Sequence, residues 1–483
     1  MKMQEKTGTS KFSRPFNKMR NFVFVFLLFS GEVFSQLPAY YRYDTDILSK
    51  DFHKGRRIAL REKMPGNSVA VIFAAPERLY SNDNDYIYHQ SPNFYYLTGF
   101  LEPNSMLIIF KDAQTLNGVQ SDEFLFVPDR DPEDESWNGR RAGKAGAGEA
   151  TGVAGILLAS EFDSLTIDFS NFKKVWYILP KGSIDAASET DDLFSLVESF
   201  KKKTGYPPDN GDVSGLTRAM AELREIKQPE EIELMKKVIR MSCDGHNEIM
   251  RAIAPGMHEY DVQSIGEYVW KRNGAEYVGY PSICGGGENS AILHYVTNRK
   301  KLTSGDIQLN DMGAEYHGYS ADVTRTIPVN GKFSPEQKEI YELVLKAQQA
   351  GIDICNPGND FQAAHHAAVA IISKGLVDLG ITKAESDYRN YFFHGTSHYL
   401  GLDVHDAGTR GKLKPGVVLT VEPGVYISEG SPCDPKWWNI GVRIEDDILI
   451  TETGHENLSE SSPRTVEAVE AMMKEKPLWI KEK

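Results

Sequence analysis

The sequence predicts an α/β (α+β) chain in two successive domains, divided near residue 225. Two observations predict this class. Short apolar runs of strand length alternate with polar, helix-like stretches over the first half. The second half again interleaves strand-like and helical segments after a strong helix-start signal at residue 228. A length of 483 residues favours two or more domains, and 41% hydrophobic with 25% charged residues is an ordinary globular balance. Such a chain can bury large cores without covalent staples.

The first segment differs from the rest. Lys18 and Arg20 precede the apolar run Phe22–Phe29, and Val33-Phe34-Ser35 follows with cleavage-site character. This is the layout of a secretory signal peptide over residues 1–35, cut near Ser35, which predicts an exported (periplasmic or secreted) protein. The run is too short to span a bilayer, so no stable membrane span is expected after processing. A buried N-terminal strand is the alternative reading. The net charge of −14 argues against nucleic acid or anionic membrane as a partner.

Residues 36–225 carry the strand-like runs Ser68–Phe73, Met106–Phe110 and Phe124–Val127, and a helix-like stretch over 192–203. Gly143–Gly155, rich in Gly and Ala, reads either as a loop or as a loosely amphipathic helix. Pro207-Pro208-Asp209-Asn210-Gly211 marks a turn between the halves. A helix starts at Gln228-Pro229-Glu230-Glu231, because Pro suits the first turn and the acids complement the helix dipole. Ile232, Met235 and Ile239 then form its apolar face. Further strands are expected near 306–311, 323–329, 417–422 and 442–451, with an amphipathic helix over Pro335–Asn356. This second domain spans 226–470, and a tail covers 471–483. Cys243, Cys284, Cys355 and Cys433 show no C-x-x-C spacing, so a zinc ribbon or thioredoxin-like motif is absent, while export would permit a disulfide.

Chemistry concentrates in the second domain. Asp311 ends one predicted strand and Asp322 opens the next, and a hairpin through Glu315–Tyr319 would set both carboxylates on one face. Two like charges so placed repel unless a cation neutralises them. His394, His398 and His405 fall within twelve positions. The first two have the i,i+4 spacing of a helical zinc pair, but the intervening Glu is absent and Gly395 disfavours a helix. Glu422 follows an apolar run and precedes Pro423-Gly424, which puts it at a strand end. Glu445 lies inside an apolar strand and needs a metal or a base as partner. Arg443, two residues earlier on the same face, is a candidate for a structural Arg–Glu pair. Four carboxylates and one imidazole make a hard donor set that suits two divalent ions, Mn²⁺ above all, better than one structural Zn²⁺. Carboxylates bridging two such metals can hold a hydroxide that hydrolyses amides.

The ordered set Asp311, Asp322, His398, Glu422 and Glu445 resembles the metal-ligand pattern of the pita-bread metallopeptidases, the family of aminopeptidase P, prolidase and methionine aminopeptidase. The segments Gly286–Tyr295, Ser320–Phe333 and His394–Asp406 agree with it, and Gln90–Phe100 is similar to the N-terminal domain of aminopeptidase P and prolidase. The resemblance covers roughly residues 230–465. Asp322-Val-Thr-Arg-Thr326 and the short link from Glu422 to Glu445 resemble aminopeptidase P, whereas Met312 stands where Ala is common, and His89 where Arg is frequent. The resemblance implies a C-terminal pita-bread catalytic domain and an Xaa-Pro aminopeptidase acting on peptides with proline second. It implies Glu422 as general base, His294 and His405 on the substrate or oxyanion, His394 in the proline pocket and Arg443 orienting the acidic residues. It also implies a homo-oligomer, dimer or tetramer. The alternatives are an Xaa-Pro dipeptidase and a catalytically silent binding module on the same fold.

Overall fold

The computed structural model describes residues 44–82, 84–181 and 192–478. The predicted signal segment lies outside the described residues, as does the end of the tail from 479 onward.

The first domain is built on a five-stranded mixed sheet in the spatial order Gly155–Leu158, Val119–Val127, Met106–Leu116, Ser68–Phe73, Lys174–Ile178. The inner pairings are antiparallel and the two outer ones parallel. Every residue of Ser68–Phe73 is buried, which explains why it reads as an unbroken apolar run. Its side chains alternate between two cores: Val69, Val71 and Phe73 enter one, Ala70 and Ile72 the other. The second of these cores is continuous with that of the C-terminal half. The Gly/Ala-rich stretch resolves as a helix, Gly143–Thr151, followed by the strand from Gly155.

Helix Val213–Glu225 closes this half, and helix Pro229–Ala252 opens the next after the link Ile226–Gln228. Pro229 occupies the first turn, and Glu231 accepts from the Gln228 backbone N–H at 2.8 Å. Met235 and Ile239 are buried and Ile232 is half-buried. Strands Ile283–Gly286, Ile307–Asp311 and Thr324–Pro328 form an antiparallel sheet with Ile307–Asp311 in the centre. The predicted hairpin lies between the last two, with strands Ala314–Tyr316 and Tyr319–Ser320 joined by His317 and Gly318, both at positive φ. Helix Pro335–Asp353 packs on the small sheets that follow, and helix Ala363–Asp378 packs against it.

The predicted strand 442–451 requires correction. It is two strands, Ile440–Arg443 paired with Gly424–Ile427, and Asp446–Ile450 paired with Val418–Val421. Glu445 therefore does not lie inside a strand; it sits at the break where the chain leaves one sheet for the next. There its backbone N–H bonds the Thr324 carbonyl at 3.1 Å. All four cysteines are free. Among the described residues no helix is long and apolar enough to cross a membrane.

Candidate metal centre

A cavity of about 690 Å³ opens between these small sheets. Asp311, Asp322, His398, Glu422, Glu445, His294, His394, His405 and Arg443 all line it. Asp311 comes from the end of a central strand, and Asp322 from the residues just before its neighbour. The hairpin register brings them together, and the Tyr280 hydroxyl donates to both, at 2.5 Å to Asp311. Backbone bonds from Glu422 N–H to the Thr396 carbonyl (2.9 Å) and from Thr420 N–H to the His398 carbonyl (3.0 Å) tie the histidine segment to the strand that ends at Glu422. His398 Nε2 thereby faces Asp322 at 3.3 Å and Glu422 at 3.6 Å. Glu445 accepts from Thr324 Oγ1 at 2.6 Å.

Arg443 is not the partner of Glu445. Its guanidinium pairs with Asp311 and donates to the Tyr426 hydroxyl at 2.8 Å. The break after Arg443 removes the shared strand face on which an Arg443–Glu445 pair depended. The Tyr426 hydroxyl also lies 2.8 Å from His394 Nε2, and His394 Nδ1 lies 2.7 Å from the Gly395 carbonyl. His294 and His405 are exposed at the cavity mouth, with the His405 ring 4.4 Å from that of His398.

The electrostatics show a surplus of negative charge. Burial pushes the Glu422 carboxyl up to about 7, and Asp322 and Asp311 add to the rise. Burial and the same neighbours push Glu445 well above the carboxylate range. Burial and the Asp311 charge also raise Asp322. Asp311 alone goes down: burial opposes ionisation, but the Arg443 charge outweighs it. Burial disfavours the charged His398, yet Asp322 and Glu422 hold it at about 9. His394, by contrast, is driven to about 3 by burial and Arg443, and stays neutral. One guanidinium and one imidazolium thus face four carboxylates, and the group is at rest only with protons or cations among the oxygens.

Cations fit this donor set. Ligand atoms of Asp322, His398 and Glu445 lie within 4.8 Å of one another. His398 Nδ1 is 3.0 Å from the Tyr399 carbonyl. An N–H donated there leaves the Nε2 lone pair aimed at the carboxylates, the usual second contact of a metal-binding histidine. Hard oxygen donors with one imidazole suit divalent ions.

Several contributors were not singled out in the sequence. Tyr280, in Gly279-Tyr280-Pro281, Tyr426, and Thr324 act only through three-dimensional proximity. Asp447, fully buried, accepts the Asp322 backbone N–H at 3.2 Å from behind the site. Met312 is buried, with its sulfur 3.8 Å from the Cys284 thiol, and leaves Asp311 free to face the cavity. His89 lies outside the cavity. It bonds Glu315 at 2.8 Å and lines a separate, larger cavity of about 1260 Å³ that holds none of the predicted site residues.

The family model described as metallopeptidase family M24 matches residues 233–452, and that described as aminopeptidase P, N-terminal domain, matches residues 53–176. The Xaa-Pro aminopeptidase of Escherichia coli (strain K12) is 38% identical over 450 residues, covering 89% of this chain and 98% of the relative. Xaa-Pro aminopeptidase 3 of Homo sapiens is 35% identical over 418 residues, covering 84% and 80%. The solved structure of aminopeptidase P from E. coli with the inhibitor Pro-Leu superposes with a TM-score of 0.80 at 36% identity, covering 88% of this chain and 98% of that one. A zinc-substituted E. coli aminopeptidase P in complex with product gives 0.79 at 37% identity, with the same coverage. With both domains matched in order and the identity spread over nearly the whole chain, this protein belongs to the M24 metallopeptidases, in the group that carries an aminopeptidase P N-terminal domain.

Proposed function

We propose that this chain is an Xaa-Pro aminopeptidase, which hydrolyses the first peptide bond of chains with proline in second position. The observation that carries the reading is the cluster of buried Asp311, Asp322 and Glu445 with half-buried Glu422 and His398, held within a chain 38% identical to an Xaa-Pro aminopeptidase. The comparisons favour this over the dipeptidase. A silent module has no use for so costly a cluster of buried acids.

Asp311, Asp322, His398, Glu422 and Glu445 would hold two divalent ions, with Mn²⁺ favoured by the oxygen-rich set. Such ions lower the pKa of water and polarise the scissile carbonyl. The remaining chemistry belongs to the chain. An Xaa-Pro bond is a tertiary amide without N–H, on a restricted ring, so a binding site cannot use the usual amide donor. Glu422, at the end of its strand and 3.6 Å from His398 Nε2, would take a proton from the attacking water and pass it to the departing proline nitrogen. His294 and His405 at the mouth are placed to donate to the carbonyl oxygen as charge develops there. His394, neutral and fixed by Tyr426 and Gly395, forms part of the proline pocket. Arg443 keeps Asp311 ionised.

The test is Mn²⁺-dependent release of the first residue from a matched Xaa-Pro dipeptide and Xaa-Pro-Yaa tripeptide, with a chelator control. Faster, chelator-sensitive cleavage of the tripeptide supports the reading. Cleavage of the dipeptide alone would make the protein a dipeptidase. Glu422→Ala should abolish turnover with the fold intact, and near-normal activity would sink the assigned role.

We further propose export, with residues 1–35 removed near Ser35, on the strength of the basic–apolar–cleavage layout. N-terminal sequencing of the mature protein tests it. A homo-oligomer, dimer or tetramer, is supported by the apolar side chains that Leu79, Tyr80, Tyr86, Ile87 and Trp137 expose on the first domain. Light scattering in solution gives the answer.

A further inference from the structure

His405 stands on a stretch of chain with little structure of its own. Between Leu400 and Arg410 no residue belongs to a helix or strand. What holds this loop is the link between the two halves of the protein. Arg224, Glu225 and Lys227 are charged, yet each is at most 4% exposed. All three are spent on the loop. Lys227 Nζ lies 2.8 Å from Asp406 Oδ2, and Arg224 pairs with the other oxygen of the same carboxylate. Arg224 also bonds Asp403 at 2.8 Å, so the carboxylates on both sides of His405 share one guanidinium. Glu225 accepts from the Tyr399 hydroxyl and the Thr409 N–H, each at 3.3 Å.

The clamp is anchored at both ends. Arg224 Nη1 donates to Asn93 Oδ1 at 2.8 Å, on helix Pro92–Thr98 of the first domain. The Lys227 N–H bonds the Gly416 carbonyl at 2.8 Å. Under the clamp there is no free space: a Cβ on Gly401 would fall 2.2 Å from Asp406 Oδ2 and 2.9 Å from Lys227 Cε. The Gly401 carbonyl in turn accepts from the Ser320 N–H at 2.8 Å, two residues before Asp322. Loop, link and acidic strand are therefore held in one register.

We infer that the segment Arg224–Lys227, the end of helix Val213–Glu225 and the start of the link, is a positioning element for His405, acting through Asp403 and Asp406 to set the imidazole at the cavity mouth. The catalytic consequence rests on the aminopeptidase reading; the clamp itself does not. A buried cation pair on one carboxylate fixes position more strictly than a surface contact, because breaking it strands a charge away from water.

A double-mutant cycle tests this in the full-length, Mn²⁺-loaded protein. Lys227→Met is made alone and together with His405→Ala, and kcat/KM is measured on an Xaa-Pro-Yaa tripeptide. A residue that acts through another loses its effect when that other is gone. Lys227→Met should therefore cost at least about tenfold with His405 present and less than about twofold without it, at unchanged bound metal. Equal losses in both backgrounds, or no loss in either, would overturn the inference. If Lys227→Met fails to fold, Asp403→Asn, which keeps the shape and weakens the bond to Arg224, takes its place in the same cycle. A second reading needs no turnover. In Zn²⁺-loaded protein with ¹³C-labelled histidine, the Cε1 signal lost in His405→Ala should shift or broaden in Lys227→Met. An unmoved His405 signal overturns the clamp. Wild-type protein without peptidase activity would sink the function and leave the clamp to this second measurement.

Discussion

Metal uptake by this site should release protons and weaken steeply in acid. The perturbation is pH, applied to chelator-treated protein. In the metal-free site His398 is held at about 9, so at pH 6 to 8 it carries a proton. Glu422, at about 7, is partly protonated in the same range, and burial with neighbouring charge raises Glu445 well above the carboxylate range. Asp311, held down by Arg443, contributes nothing here. Ligation needs a free Nε2 lone pair and ionised carboxylates, so each of these protons must leave. Falling pH favours the protonated, metal-free state and lowers affinity. His398 alone gives a slope of about one proton, or about tenfold in affinity per pH unit between pH 6 and 8. Glu422 steepens it below pH 7. The assay is calorimetric titration with Mn²⁺ at pH 6, 7 and 8 in two buffers of different ionisation enthalpy, which counts the protons directly. Affinity flat across this range, with no proton release, would refute the assigned ligand set.

The same shifts govern stability without metal. His398 and Glu422 both bind protons more tightly when folded, so their contribution is present at low pH and lost as pH rises from about 4.5 through about 9. Thermal unfolding of the chelated protein should fall over that range, and saturating Mn²⁺ should reverse the trend. Gly313→Ala would put a Cβ 1.9 Å from the Ala321 carbonyl oxygen, at the base of the hairpin between Asp311 and Asp322. Bound metal, measured by atomic absorption, should fall at least about tenfold in affinity while circular dichroism is kept. Arg57 is fully buried on Glu123, with Nε–Oε2 at 2.8 Å and further bonds to the Leu97 and Thr151 carbonyls. Arg57→Met strands Glu123 and should destabilise the first domain by about 3–5 kcal/mol in urea titration.

What could be read in the sequence was local. Ser68–Phe73 declares itself as an unbroken apolar run because it is buried on both faces, and Pro335–Asp353 because it buries one face at the helical period. Asp311 and Asp322 were legible because a short turn-rich segment between two apolar runs leaves few ways to fold. The break at Glu445 was hidden, since Gly441–Ile450 is apolar apart from its charges and reads as one strand. The change of partner strand, with the bond to Thr324 at the break, divides it. Arg443 was seen as important, but its partner was misread, because spacing along a strand cannot anticipate a change of sheet. Tyr280 had no signal at all: a tyrosine before proline is common, and its role depends on meeting two aspartates across the sheet. Arg224, Glu225 and Lys227 carried no signal in the sequence, because their role depends on a loop far along the chain.

The break at Glu445 also says where this chain can change length. Arg443 and Glu445 reach different neighbours because the chain turns between them, so one residue added or removed within 441–447 would misplace both groups and shift the following strand against Val418–Val421. The preceding turn is different. Ser428–Gly430 and Asp434–Lys436 are exposed and lie between two paired strands. Added segments there leave the register of either strand untouched, so relatives of this protein are expected to vary in length at that tip and to keep the count from Gly441 to Asp447 unchanged.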